Sequence, residues 1–154
     1  MTEHLHVLLS CAMSVDGCLD APGPSRLVLS GPADLDRVDS ERAACDAIMV
    51  GAGTIRRDDP RLLVRSPARQ AARGARGLPG QPARVTLTAS GDLSPGARFF
   101  AAGPEPRLVY CPAQLSGSLS KLLNGRAQMI AAGEPVQLPA EMLNSQISPM
   151  GATP

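Results

Sequence analysis

The residue with the most chemistry to explain is an arginine on the apolar side of a helix. Ser30-Gly31-Pro32 is a helix-start signal. Ser30 can cap, Pro32 falls in the first turn, and Asp34 and Asp36 suit the positive end of the helix dipole. On the helix that then runs to about Ala44, Leu35 and Val38 lie three residues apart, with Arg42 four further on. At 3.6 residues per turn all three share one face. A charge on that face must meet an anion or pair with an acid, because an unpaired buried charge is costly. The pattern leaves three readings open: a bound oxyanion, an internal ion pair, or a guanidinium that snorkels to water at the helix end.

A second group follows directly. Gly51-Ala52-Gly53-Thr54 comes straight after a short apolar run. Two glycines let a ligand approach the backbone, and exposed N–H groups with the Thr54 hydroxyl can hold phosphate. This is neither a Walker loop, lacking Gly-Lys-Ser/Thr, nor a full dinucleotide fingerprint, because Arg56 stands at the third glycine. An ordinary strand-to-loop turn explains the glycines equally well. Asp58-Asp59-Pro60 comes next, then Arg65, and Asp58 by itself reads as a turn-capping aspartate. His4 and His6 would lie on one face of a strand, but their spacing to Cys11 or Cys18 matches no zinc pattern. No metal site is therefore expected. No Ser-His-Asp or Cys-His arrangement is visible, so the catalytic residues stay unassigned.

The elements that must position these residues follow from periodicity and punctuation. Leu5 to Met13 reads as a buried strand ended by a turn at Ser14, Asp16 and Gly17, and Arg26 to Leu29 is a second short apolar run. A helix from Pro32 to Ala44 and a strand from Ala47 to Val50 come next. Asp59 to Pro82 is rich in Pro, Arg, Gly and Ala without a visible period, which predicts a long exposed loop cut by trypsin at Arg69, Arg73 or Arg76. Strands are expected at Arg84 to Ala89, Arg107 to Cys111 and Gln128 to Ala132, with helices over Leu115 to Leu123 and from Leu138. Strands alternating with helices make this an α/β chain with a mostly parallel sheet flanked by helices.

Composition narrows the function. The chain has 154 residues, net charge +1 and 44% hydrophobic residues, but only 2% aromatics. A core built on Leu, Val, Ala, Ile and Met is expected. With so few aromatic platforms and so little net charge, neither nucleic acid nor an anionic membrane is an expected partner. The four cysteines form no CxxC pair, and the N-terminus shows no basic region before a long apolar stretch. The reading is a soluble, cytoplasmic protein with reduced thiols.

Several of these segments together resemble one family. Ala12-Met13-Ser14-Val15-Asp16-Gly17 is similar to the first-strand motif of the reductase domain of bifunctional riboflavin deaminase-reductases. The stretch from Arg42 through Asp46-Ala47-Ile48-Met49-Val50-Gly51-Ala52-Gly53-Thr54 resembles its central motif, and Arg57-Asp58-Asp59-Pro60-Arg61-Leu62-Leu63-Val64-Arg65 continues in register. The resemblance implies a dihydrofolate-reductase-like fold. It also implies NADPH-dependent reduction of the ribose of a 5-amino-6-(5-phosphoribosylamino)uracil-type substrate in riboflavin biosynthesis. By motif position, Ala12, Thr54, Asp58 and Ser90 (or its neighbour Ala89) would contact NADPH. Ser25, Arg42, Leu62 and Arg65 would contact the phosphorylated small-molecule substrate, with the arginines on its phosphate. A homodimer is compatible with the resemblance. Asp16 is within reach of a proton-transfer role but reads better as a turn residue.

The sequence departs from the family pattern in three places. It has no Trp, where the family carries one near Val28, and Thr88 stands where an Asp is usual. After Leu138 the family continues with a strand, a Glu-Gly-Gly turn on the cofactor phosphates, a helix and closing strands. The expectation is a reductase domain over residues 1–143, C-terminally incomplete, followed by an irregular tail at 144–154. The alternative function is a truncated, non-catalytic relative that binds phosphorylated ligands weakly. A folate reductase would share the fold but not the central motif.

Overall fold

A computed structural model describes residues 6–19, 29–101 and 103–132. Ser25, His4, most of the Arg26–Leu29 run and the expected helix from Leu138 lie outside the described residues. The elements are α1 (Pro32–Ala44), β1 (Ala47–Gly51), α2 (Ala52–Asp58), α3 (Pro67–Ala75), β2 (Ala83–Leu87), a 3₁₀ turn (Arg98–Phe100), β3 (Arg107–Pro112), α4 (Ala113–Leu123) and β4 (Gln128–Ala132). The strands form one sheet in the order β1-β2-β3-β4. Every neighbouring pair is parallel, as the alternation of strands and crossovers requires.

One face of this sheet carries the core. Ile48 and Val50 of β1 and Met129 of β4 pack against Ile55, Leu62, Val109, Cys111, Leu119 and Leu123. The opposite side of the same strands is open among the described residues, with Met49 and Leu87 exposed. The core is mostly aliphatic, as expected, with two aromatic residues added. Phe99 and Phe100, the chain's only phenylalanines, are both fully buried. Their rings meet edge to face at 4.9 Å and 79°, an arrangement that adds roughly 0.5–1.5 kcal/mol beyond the area they bury.

The segment holding them is locked by Arg84 of β2. Its guanidinium is buried against Glu105, to which it donates. It also donates to the carbonyl oxygens of Phe99 at 2.5 Å and Ala101 at 3.2 Å, and it sits 5.8 Å from the Phe99 ring centroid.

Two expectations need correction. Residues 6–13 belong to no strand and are exposed, Leu9 almost completely so. An apolar run becomes a strand only through hydrogen bonds to a neighbour, and none of the described strands pairs with it. The turn predicted after it is present: the Gly17 N–H donates to the Ser14 carbonyl at 3.0 Å, and Gly17 has φ +86°.

The second correction is the expected loop from Asp59 to Pro82, which contains α3. Ser66 caps this helix, its hydroxyl accepting from the Arg69 N–H, and Pro67 opens it. These are the same start signals that mark α1. Arg73 is buried rather than exposed to protease. It donates to Ala43 O at 2.9 Å and Cys45 O at 2.7 Å at the end of α1, and to Pro79 O at 2.8 Å. A cation on the last carbonyls of a helix also complements its dipole. The helix is hard to see in sequence because its interior contacts are made by arginine stems and heads, not by a stripe of apolar residues.

Candidate functional site

The face of α1 that meets the rest of the protein is the one the spacing of Leu35, Val38 and Arg42 predicts, but the residue at its buried centre is polar. Leu35 is exposed, Val38 and Arg42 are half-buried, and the most buried residue of α1 is Asp39. The helix packs against the chain from Leu62 to Arg69, which supplies polar partners. Ser30 is not the N-cap residue either. Gly31 takes that place, and the Ser30 hydroxyl bonds instead to Asp34.

Asp39 is the hub. One carboxylate oxygen accepts the Arg65 N–H at 2.5 Å, and the other accepts the Ser66 N–H at 3.2 Å and Arg69 Nη1 at 3.0 Å. Burial pushes Asp39 up, but these donors together outweigh it and hold the carboxyl below its ordinary range. Arg69 also grips Asp36 with both terminal nitrogens, at 2.7 and 2.8 Å. Arg65 donates to Leu35 O at 3.0 Å and lies 3.8 Å from Asp39. Pro32, Leu35, Asp36, Asp39, Arg65, Ser66 and Arg69 line an open cleft of about 430 Å³.

Arg42 stands apart from this network. Among the described residues its guanidinium makes one long contact, to Leu63 O at 3.5 Å, and no ion pair within 4.0 Å. Burial lowers its proton affinity. The nearby Arg65 cation acts in the same direction, and Asp39 opposes. Arg42 and Arg65 are therefore close enough to repel each other. A pair of like charges, one of them half-buried with little to bond, attracts an anion with several oxygens. Leu62 adjoins this pair at φ +53°, but its side chain is buried in the core, so any ligand contact would come from its backbone.

A second group of expected residues lies at the C-terminal ends of β1 and β2. Gly51 and Leu87 pair across these strands. The chain leaves β1 directly into α2, which carries exposed Thr54 and half-buried Asp58. Beyond β2, Thr88 accepts the Gly91 N–H at 2.9 Å, and exposed Ser90 follows. Arg56, at the place of the missing third glycine, ties these two ends together. It donates to Asp92 O at 3.0 Å and lies 3.5 Å from the Asp92 carboxylate. A side chain added at Gly51 would meet nothing within 4 Å, so the strand end has room for a ligand against its backbone. In open α/β sheets ligands bind at this carboxyl edge. Ala12 is exposed in the irregular N-terminal segment, and the structure does not bring it into the sheet.

Asp39 is the residue that sequence reasoning missed. Its signal was present, since it lies four residues after Leu35 and three before Arg42 on the inward side of α1. Among the described residues no helix is long and apolar enough to cross a membrane, and no His, Cys, Asp or Glu group is arranged to hold a metal ion.

Known proteins resemble this chain along most of its length. The family model described as the RibD C-terminal domain matches residues 5–142. The chain is 40% identical over 82 residues to a 2,5-diamino-6-ribosylamino-4(3H)-pyrimidinone 5′-phosphate reductase of Archaeoglobus fulgidus, covering 53% of this chain and 37% of the relative. It is 33% identical over 131 residues to the riboflavin biosynthesis protein RibD of Mycobacterium tuberculosis, covering 84% of this chain and 36% of the relative. Its fold is that of a crystallised pyrimidine reductase-like protein from Corynebacterium diphtheriae, with a TM-score of 0.61 at 21% identity, over 88% of this chain and 58% of the other. The chain thus spans less than two thirds of each of these proteins.

Proposed function

We propose, on the premise that this chain belongs to the RibD C-terminal domain family, that it serves the NADPH-dependent reduction of the ribose of a ribosylamino-pyrimidine 5′-phosphate in riboflavin biosynthesis. The observation that carries this reading is Arg42, a half-buried guanidinium beside a second arginine and nearly without partners among the described residues. Such a charge is costly in an apolar setting and favourable beside a phosphate. In this reading Arg42 and Arg65 hold the substrate phosphate and so fix the pyrimidine and ribose in one orientation. Leu62 and Ser25 belong to the same substrate side.

The nicotinamide cofactor, when bound, supplies the hydride. Thr54, Asp58, Ser90 and Ala12 are its assigned contacts. The open strand end at Gly51 and the exposed hydroxyls of Thr54 and Ser90 suit such a group. Asp16 does not serve as the proton donor in this reading. The Ser14 hydroxyl donates to its carboxylate and lowers its proton affinity, and a carboxyl held ionised is a poor general acid.

The test is calorimetric titration of the full chain with the ribosylamino-pyrimidine 5′-phosphate and with the same compound lacking its phosphate. The arginine pair predicts that the phosphorylated form binds more tightly by about 1.5–3 kcal/mol. Equal affinity for the two forms would refute the assignment. Parallel titrations with NADPH and NADH test the cofactor.

A further inference from the structure

The α1 cluster contains three guanidinium groups, Arg42, Arg65 and Arg69, and two carboxylates, Asp36 and Asp39. Arg69 takes both oxygens of Asp36 and one of Asp39, so Asp39 is the carboxylate that Arg69 shares with Arg65, whose Nε lies 3.8 Å away. It is the one buried aspartate among the described residues. Two of its bonds come from consecutive backbone amides, those of Arg65 and Ser66, and a third from Arg69 Nη1 at 3.0 Å. Its hydrogen bond to Arg65 therefore holds the main chain from which that side chain springs, while the Arg65 Nε stays 3.8 Å away. Asp39 also acts on Arg42 through space, opposing the repulsion from Arg65.

We propose that Asp39 is a positioning residue for phosphate recognition: before any ligand arrives it anchors the Arg65 backbone to α1, the helix that carries Arg42. A pair of arginines brought together in advance spares the ligand the cost of ordering them. Arg65 gains a fixed origin while keeping an exposed head, which suits a side chain that must reach a phosphate. This role rests on the assignment of the phosphate to Arg42 and Arg65, and the experiment separates the two.

The full chain carrying Asp39→Asn is titrated with the pyrimidine 5′-phosphate, its dephosphorylated form and the nicotinamide cofactor. The Asn carboxamide keeps one acceptor oxygen for two amides and no charge between the cations. The preference for the phosphorylated form should fall by at least about tenfold, the size of one charge-assisted contact, while cofactor affinity stays within about twofold. Asp39→Glu keeps the charge but carries it one methylene further, and should lose about two- to fivefold of the preference. An Asn variant that keeps the wild-type preference overturns the proposal, as does one that weakens all three ligands alike, since that is the signature of a structural staple. If the Asn variant does not fold, an unchanged preference in the Glu variant overturns it, and so does the failure of both to fold. A wild-type chain with no preference for phosphate defeats the functional reading itself. A wild-type preference that Asp39→Asn leaves intact defeats only the role given to Asp39.

Discussion

The end of β2 around Arg84 and the inner side of α1 around Arg42 both withdraw an arginine from water, and they differ in how fully its charge is met. Arg84 has a buried carboxylate, Glu105, and several carbonyl oxygens around it. Arg42 has one carbonyl at 3.5 Å and a second cation nearby. Both guanidinium groups are pushed down first by burial, but in Arg84 the strongest counterweight is Glu105, whereas for Arg42 the next influence is the repulsion from Arg65. A charge that its own fold satisfies has a structural role, here to lock the segment carrying Phe99 and Phe100. A charge that its fold leaves nearly bare favours any ligand able to complete it. Position on an apolar face does not separate these cases. The inventory of partners does.

Removing the partner of the satisfied arginine should have the largest effect. Glu105→Ala leaves Arg84 buried and unpaired, which is expected to cost about 3–5 kcal/mol of stability, read from chemical denaturation. A cost below about 1 kcal/mol, the range of exposed pairs, would break the comparison, because Arg84 would then be no better served than Arg42.

The next effect should appear in binding and not in folding. Arg42→Met is expected to weaken binding of the phosphorylated ligand by about 1.5–3 kcal/mol. Unfolding free energy should change by only about 0.5 kcal/mol. Arg42→Lys should lose much of the affinity too, since a point charge does not reproduce a planar fork. A strong loss of stability in Arg42→Met would move this arginine into the structural class.

The smallest effect is with pH, and it sharpens the account of the α1 region. The folded-state proton affinity of Asp39 lies below the ordinary aspartate value of 3.8. Its contribution is therefore complete above the unfolded value and is lost as pH falls through the lower, folded one. The amide resonances of Arg65 and Ser66 should titrate with a midpoint below that ordinary aspartate value. A midpoint above it would mean that the two amides do not bond an ionised Asp39.

Much of this arrangement was legible in the residues. The bounds of α1 match the expected start at Pro32 and end near Ala44, the start because the proline rule acts within a single turn, although Gly31 and not Ser30 is the N-cap. β1, β3, α4 and β4 fall within a few residues of their apolar runs. Arg42 was visible as a charge out of place, and the motif around Gly51 and Thr54 pointed to the right family. The buried role of Asp39 was not legible, nor was α3. Both depend on contacts about 30 residues apart in sequence, such as Arg69 with Asp39 and Arg73 with the end of α1.

The amino-acid sequence alone thus determined the class of fold, the family and the presence of an arginine on the apolar face of a helix. Each of these rests on local spacing and residue type. Only the tertiary structure decided which polar groups are satisfied. It left the apolar N-terminal run exposed outside the described sheet, and it turned an arginine-rich stretch into a helix clamped on α1. It gave Arg84 a buried carboxylate and several carbonyl oxygens, with only its Nε left over, and Arg42 almost nothing. A hydrogen bond or an ion pair is a property of two groups brought together, and the sequence records each group without the distance between them.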